Sequence, residues 1–229
     1  MFTQIALIAA LRHELKPLLS MGNWRLEKIA GRNFYRRTVA GKEVVATTSG
    51  LGKVMAAATT QMVIDRFNAD LVLNFGSCGA LAPGLAVGDL ILAEKVIEYD
   101  FTSDHKSVPM TACDAGLLLK LKDHFPGFKI GPLASADRNA DTPEVRNDLF
   151  VRYRALVADW EGAAIVRVAK RMGIPALVLR GVTDVGDADL ASEYEGNYQE
   201  VLPDVAKAAD GMVEFLAKIK SGDQITNGR

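Results

Sequence analysis

Near the middle of the chain lies the apolar run Leu71-Val72-Leu73-Asn74-Phe75, which is followed directly by Gly76-Ser77-Cys78-Gly79. A run that is apolar at consecutive positions is typical of a parallel strand buried on both faces. The glycines predict that the strand breaks at Gly76 and that a turn follows, in which the backbone can approach a ligand closely. The segment therefore predicts a buried strand with a ligand site beyond its carboxyl end.

Segments with strand and helix character alternate on both sides of this run. Other strand-like runs lie at 5–10, 44–48, 90–97, 128–134, 156–158 and 176–182, and helical patterns lie at 12–20, 54–62, 114–124, 144–152, 165–172 and 201–219. Such alternation, without a linker or a repeat, predicts one α/β domain. We expect a three-layer sandwich, in which helices flank a central mixed and mostly parallel β-sheet, over residues 1–220, with a polar tail at 221–229.

The composition excludes several classes of protein. Of the 229 residues 49% are hydrophobic and 24% are charged, so the chain can bury a substantial core and is not wholly disordered. Its 27 basic residues balance 28 acidic ones, which offers no electrostatic basis for binding nucleic acid or an anionic membrane. The two cysteines, Cys78 and Cys113, are too few for a disulfide framework. The apolar N-terminal run meets Arg12, His13 and Glu14 too early for a membrane span, and we expect a cytoplasmic protein.

Charged or polar residues follow four of the predicted strands. Three of these strand ends carry carboxylates and the fourth is the glycine–serine segment: Arg12-His13-Glu14, Asp159-Trp160-Glu161, Thr183-Asp184 and Gly76-Ser77. A single aspartate after a strand is more often a helix cap than a catalytic group. Because ligands in α/β sheets bind beyond the carboxyl ends of strands, the shared placement of these residues favours a functional site.

Four segments in this order resemble the nucleoside phosphorylase/nucleosidase superfamily. In chain order they read Ser49-Gly50-Leu51-Gly52-Lys53, Asn74-Phe75-Gly76-Ser77-Cys78-Gly79-Ala80-Leu81 with Val87-Gly88-Asp89, Asp159-Trp160-Glu161-Gly162-Ala163-Ala164 and Gly181-Val182-Thr183-Asp184-Val185. The resemblance runs from about residue 5 to about residue 216, and it is greatest to the 5'-methylthioadenosine/S-adenosylhomocysteine nucleosidases. It implies a single α/β domain, usually a homodimer, that cleaves the N-glycosidic bond of an adenine nucleoside.

The resemblance assigns roles to the residues at the strand ends. Breaking a purine–ribose bond is easier when an acid protonates N7 of the leaving base, and Asp184 matches the family's acid. Glu14 matches the carboxylate that activates the attacking water, and Glu161 matches the glutamate that holds the ribose hydroxyls. Ser77 lies in the segment near the sugar, and Trp160 matches an apolar residue that packs against it.

Water is the acceptor that the resemblance favours over phosphate. The phosphorylases of the superfamily typically carry an arginine three residues before the serine of the glycine–serine segment, and Asn74 stands there in this chain. The first strand ends Ala9-Ala10-Leu11, without a glycine-rich phosphate turn. Arg12 stands close enough in sequence to meet an anion, so purine nucleoside phosphorylase stays an alternative.

The loop expected to hold the purine departs from the family. It reads Ala136-Asp137-Arg138-Asn139-Ala140, so Asn139, followed by Ala140, occupies the position of the aromatic or bulky apolar residue that stacks on the base. Arg138 could stack through its guanidinium plane. The loop at 99–109 is also more polar than a methylthio pocket requires. These departures leave open a nucleosidase that acts on futalosine or on another 5'-extended nucleoside.

Two further hypotheses belong to other classes. A non-catalytic nucleoside-binding protein would bind without turnover, although the three retained carboxylates argue against it. A Rossmann-type nucleotide site is a weak interpretation of Gly50-Leu51-Gly52, because Met55 stands at the third glycine position. His13 is expected to stand aside from the site. His105 and His124 lack the spacing of metal ligands, and we expect neither a metal nor a cofactor.

Overall fold

The structure is a computed structural model that describes residues 2–101, 107–186 and 190–219. The predicted tail at 221–229 and the polar loop residues 104–106 lie outside these ranges. In chain order the described elements are β1 (Gln4–Ala9), α1 (Arg12–Ser20), β2 (Arg25–Ile29), β3 (Arg32–Val39), β4 (Lys42–Thr48), α2 (Lys53–Phe67), β5 (Leu71–Ala80), β6 (Leu90–Glu98), β7 (Met110–Ala112), α3 (Ala115–His124), β8 (Lys129–Ser135), α4 (Pro143–Tyr153), β9 (Val157–Asp159), α5 (Gly162–Arg171), β10 (Ala176–Asp184) and α6 (Leu190–Lys218).

Four parallel strands form the centre of the sheet. β1 lies between β4 and β5, and β5 pairs on its other side with β10. The residues of these strands are mainly apolar and buried, as expected for parallel strands covered on both faces. Because the strands run in one direction, their carboxyl ends lie at the same edge of the sheet.

β5 is longer than the sequence predicted. The segment 76–79, expected to be a turn, continues the strand to Ala80. Two neighbouring strands impose this extended backbone, since β10 pairs with β5 as far as Gly79 and β9 pairs with Gly79 and Ala80. The weak preference of glycine for strands is overridden here by main-chain pairing on both sides.

The remaining strands make the sheet mixed. β6, β8 and β9 form a second parallel set, and antiparallel pairs of β10 with β6 and of β5 with β9 join it to the first set. β2, β3 and β4 pair antiparallel, as do β6 and β7. One α/β domain with a mixed sheet is thus confirmed. The mostly parallel character is not confirmed, because these antiparallel pairs link both sets, and the three-layer arrangement stays a prediction.

Helices cover the sheet with their apolar faces. α6 packs against β10, where the absence of a side chain at Gly181 leaves room for Val201 and Val205. The predicted apolar stripe of α5 is buried at Ile165 and Ala169, but Met172, one residue beyond the end of the helix, is exposed. Among the helices that the structure describes, none is both long enough and apolar enough to cross a membrane.

Candidate active site

A cavity of about 320 Å³ lies where the carboxyl ends of β1, β5, β9 and β10 come together. Its volume is at the lower end of the range for small-molecule sites. The structure brings all seven residues predicted from the sequence to its wall, which includes Glu14, Ser77, Asn139, Ala140, Trp160, Glu161 and Asp184. Arg12 is exposed and is not part of this wall.

Glu14 is held rigidly by backbone and side-chain donors. It lies in the first turn of α1 and is only 4% exposed. Its Oε2 accepts hydrogen bonds from the backbone N–H groups of Ala10 and Leu11, both at 2.9 Å. Its Oε1 accepts from the backbone N–H and the hydroxyl of Ser77, also at 2.9 Å. Four donors thus aim one buried carboxylate into the cavity.

The two glycines of β5 have a role that differs from the predicted turn. A Cβ added at Gly76 would lie 2.6 Å from Oε1 of Glu14, and one at Gly79 would lie 2.6 Å from Oδ1 of Asp184. The glycines are therefore required because both carboxyl groups lie directly against the backbone of the strand.

Asp184 ends β10 with its side chain 13% exposed. Its Oδ2 accepts from the hydroxyl of Thr183 at 3.3 Å, and Nη1 of Arg146 from α4 lies 3.9 Å from its Oδ1. Burial raises the pKa of Asp184 above its ordinary value, and the charge of Arg146 opposes this rise. A carboxyl group with a raised pKa is protonated more often, and it can donate a proton to a bound base.

Glu161 immediately precedes α5 and is 6% exposed. Its Oε1 accepts from the backbone N–H of Gly52 at 2.9 Å. Burial raises the pKa of Glu161 to about 8, the charge of Asp159 adds to the rise, and Arg180 opposes it. The raised pKa favours the protonated form of Glu161 in the free protein. Hydroxyl groups that donate to it would favour its ionised form.

The loop after β8 meets the cavity with polar side chains. Asn139 is exposed, and its Oδ1 accepts from the indole N–H of Trp160 at 3.2 Å. Ala140 is buried beside it, and Arg138 lies with its guanidinium carbon 5.3 Å from the centre of the Tyr99 ring. Asn139 thus contributes an amide, and Trp160 is half-buried in the wall of the cavity.

Comparison with known proteins identifies the family. Residues 4–217 match the family model of the Phosphorylase superfamily. The chain belongs to the phosphorylase superfamily. This chain is 33% identical to the 5'-methylthioadenosine/S-adenosylhomocysteine nucleosidase of Listeria monocytogenes serotype 4a, over 83% of this chain and 90% of that protein. The nucleosidase of the same name from Staphylococcus saprophyticus is 30% identical, over 93% and 99%.

Solved structures of other superfamily members share the fold. The 5'-methylthioadenosine/S-adenosylhomocysteine nucleosidase from S. pneumoniae, with a transition-state inhibitor, superposes with a TM-score of 0.86 at 25% identity, over 93% of this chain and 99% of that chain. The futalosine hydrolase of Helicobacter pylori has a TM-score of 0.87 at 24% identity, over 93% and 98%. The two are named for different substrates and match equally well, so the fold does not distinguish between those substrates.

A buried arginine of this chain, which the sequence did not reveal, lies beneath the cavity. Arg180 is 2% exposed; it pairs with Asp159, its Nε lying 3.0 Å from Oδ2, and its Nη2 donates to Oδ1 of Asn74 at 2.5 Å. Asn74 in turn donates to the carbonyl of Ile8 at 2.8 Å. A single charge within the apolar strand 176–182 was the signal that could have revealed it.

Tyr194 of α6 is a further wall residue that the sequence did not reveal. Its hydroxyl lies 2.5 Å from Nε2 of His13. His13, which was expected to lie outside the site, therefore contacts a residue of the cavity wall. Burial raises the pKa of Tyr194 to about 12, and the charge of Glu14 adds to the rise. Among the described residues, no group of three or more His, Cys, Asp or Glu is arranged to hold a metal ion.

Proposed function

We propose that this protein hydrolyses the N-glycosidic bond of an adenine nucleoside, such as 5'-methylthioadenosine or S-adenosylhomocysteine. The observation that carries the proposal is the placement of two carboxyl groups, Glu14 and Asp184, in one cavity against the same strand. Their glycine contacts at Gly76 and Gly79 are three residues apart, which corresponds to about 10 Å of extended strand. The two carboxyl groups thus meet the cavity at separate positions along the strand, as an acid and a base on either side of a sugar require. The names of the curated relatives support the same activity.

Asp184 is the proton donor to the leaving base. Its raised pKa favours the protonated form, which donates its proton to N7 of the purine while the bond between C1' and N9 breaks. The electron pair of that bond remains on the base, and positive charge develops on the sugar. Arg146, 3.9 Å away, then stabilises the carboxylate that Asp184 becomes.

Glu14 is the base that accepts a proton from the attacking water. The water oxygen bonds to C1', and one water proton passes to Glu14, so the products are the free purine and the free sugar with its 5' substituent. The Ser77 hydroxyl that now donates to Glu14 can rotate, which frees one lone pair of Oε1 for this proton. Glu161 accepts hydrogen bonds from the ribose hydroxyls and holds the sugar between the two groups.

Phosphate is a poor acceptor in this site. Asn74 is neutral and its amide is engaged on both sides, by Ile8 and by Arg180. Arg180 itself is buried against Asp159 and does not line the cavity. A phosphate would meet the carboxylate of Glu14, and like charges repel. Of the two arginines in the described part of the cavity wall, Arg146 lies beside Asp184 and Arg138 lies against Tyr99.

A second candidate is hydrolysis of a 5'-extended nucleoside of the futalosine type. The exposed polar side chains of Arg138 and Asn139 at the cavity favour this possibility, since neither gives the apolar stacking surface of a methylthioadenosine site. Both candidates use the same carboxyl groups, so they differ only in the substituent that the wall accepts.

A panel of nucleosides incubated with and without phosphate tests the proposal. We expect free base and free ribose sugar without phosphate, and no acceleration when phosphate is added. Asp184→Asn should lower kcat by about 10²–10⁴-fold at unchanged Tm, since the amide cannot protonate the base. Formation of ribose 1-phosphate, or an Asn variant with normal kcat, would contradict the proposal.

We further propose that the protein is a homodimer through an apolar surface beside the cavity. Leu51, Val54, Met55 and Phe101 are exposed, and the ion pair of Lys53 with Asp100 links the two segments that carry them. Such a patch marks an interaction surface in a soluble protein. Val54→Glu should convert the dimer to a monomer in light scattering. A wild-type monomer at micromolar concentration would contradict the proposal.

A further inference from the structure

Three hydrogen bonds close a ring at the start of α2. The ammonium of Lys53 donates to Oδ1 of Asp100 at 2.5 Å, the backbone N–H of Asp137 donates to Oδ2 of Asp100 at 2.9 Å, and the backbone N–H of Lys53 donates to Oδ1 of Asp137 at 2.7 Å. Lys53 also pairs with Glu98 at 2.9 Å. We call Lys53, Asp100 and Asp137 the Lys53 ring.

The Lys53 ring joins two parts of the cavity wall without lining the cavity itself. On one side, the residue before Lys53 is Gly52, whose N–H holds Glu161 at 2.9 Å. On the other side, Asp137 leads directly into Arg138 and the rest of the loop that meets the base. The distance between the carboxyl group of Glu161 and that loop therefore depends on the Lys53 ring.

The ring is built tightly enough to hold that distance. The side chains of Lys53 and Asp100 are only 15% and 19% exposed. Gly52 has a φ of +85°, and a Cβ there would lie 2.8 Å from Oδ1 of Asp137, so this carboxylate lies directly on the turn. Gly52 gives α2 no side-chain cap, and Asp137 supplies the missing acceptor at the positive end of the helix dipole.

We propose that the Lys53 ring is a positioning device that fixes Glu161 relative to the loop that meets the purine. The inference rests on the proposed function for the roles of these two parts. Asp137 and Lys53 are positioning residues, because they act through Gly52 and the loop and do not contact the substrate. Without the ring, the Gly52 N–H is free to move away from Glu161, and the hold on the ribose diol weakens.

The test compares ribonucleosides with 2'-deoxynucleosides. Asp137→Ala should lower the ratio of their kcat/KM values by about tenfold, roughly the effect of losing one hydrogen bond to a charged group. Asp137→Asn keeps the oxygen that accepts from Lys53 and should restore the ratio. Asp141→Ala, an exposed aspartate of the same loop, is the matched control and should leave the ratio unchanged.

A wild-type protein that releases base from no nucleoside would overturn the proposed function itself. If the wild type hydrolyses nucleosides but Asp137→Ala keeps the ratio of the control, only the positioning role is wrong. If Asp137→Ala does not fold, Lys53→Met and Lys53→Arg take its place. The ratio should then fall with Met and be largely kept with Arg, and equal ratios in both would overturn the inference.

Discussion

The substitution Gly79→Ala should displace the carboxyl group of Asp184, the proposed acid, without changing its chemical identity. The added Cβ would lie 2.6 Å from Oδ1 of Asp184 and 3.3 Å from its Cγ, whereas ordinary contact begins at 3.4 Å. The carboxyl group must therefore move by roughly 0.8 Å to restore normal contact. Displacements of about 1 Å at a reacting group lower rates by about 10²-fold, so we expect kcat to fall by about that factor.

The stability of this variant should change little. Gly79 has a φ outside the left-handed region, so alanine fits its backbone. Replacing glycine by alanine at such a position stabilises by about 0.4–1 kcal/mol, which offsets part of the cost of moving a side-chain end that borders a cavity. Urea unfolding should therefore show a change of less than about 1 kcal/mol.

Kinetics of base release, together with a double-mutant cycle, provide the assay. If Gly79→Ala acts through Asp184, adding it to Asp184→Asn should cost almost nothing more. Gly196→Ala in α6, where a Cβ would meet nothing within 4 Å, is the matched control and should keep full activity. A Gly79→Ala variant with kcat within threefold of wild type, or losses that add in the double variant, would refute the reasoning.

Three further predictions concern the carboxyl groups of the cavity. Glu14→Gln should abolish most hydrolysis while a substrate analogue binds within about tenfold of wild type by calorimetry; a fully active variant would remove its role as base. Glu161→Ala should impair ribonucleosides far more than 2'-deoxynucleosides, and equal losses would assign it a structural role. The native pKa of Glu161 is about 8 against an ordinary value of 4.5, so the folded state binds more protons between these values. Stability should fall as pH rises through this window, by at most about 1.4 kcal/mol per pH unit from this group, and Glu161→Gln should reduce the slope in urea unfolding. An unchanged slope would show that Glu161 does not titrate there.

The meeting of three carboxyl groups in one cavity was predictable from the sequence. Glu14 follows an apolar run, Asp184 ends another, and Glu161 lies just beyond a third. β1 and β10 run parallel to β5, so Glu14 and Asp184 come to the same edge of the sheet whatever their order along the chain. β9 runs antiparallel to β5, and its pairing with Gly79 and Ala80 brings Glu161 to the same place. The resemblance to the superfamily then attached chemical roles to groups that the pattern had already placed together.

The conformation of β5 beyond Phe75 was not predictable in the same way. Gly76 and Gly79 indicate a break when only neighbours in sequence are considered. In the structure they lie within a strand, because β9 and β10 supply main-chain partners and because two carboxyl groups need a bare backbone. The reason for these glycines lies more than 60 residues away in one direction and more than 100 in the other.

By itself, the sequence determined the alternation of strands and helices, the α/β class and the residues available at the strand ends, because hydrophobic periodicity and glycine placement act over a few neighbouring positions. Only the tertiary structure decided which of those residues meet further partners. Arg180 is buried against Asp159, Arg146 approaches Asp184, and the hydroxyl of Tyr194 meets His13. These contacts join distant parts of the chain. Burial, which raises the pKa values of Asp184 and Glu161, likewise depends on how the whole chain packs around a group.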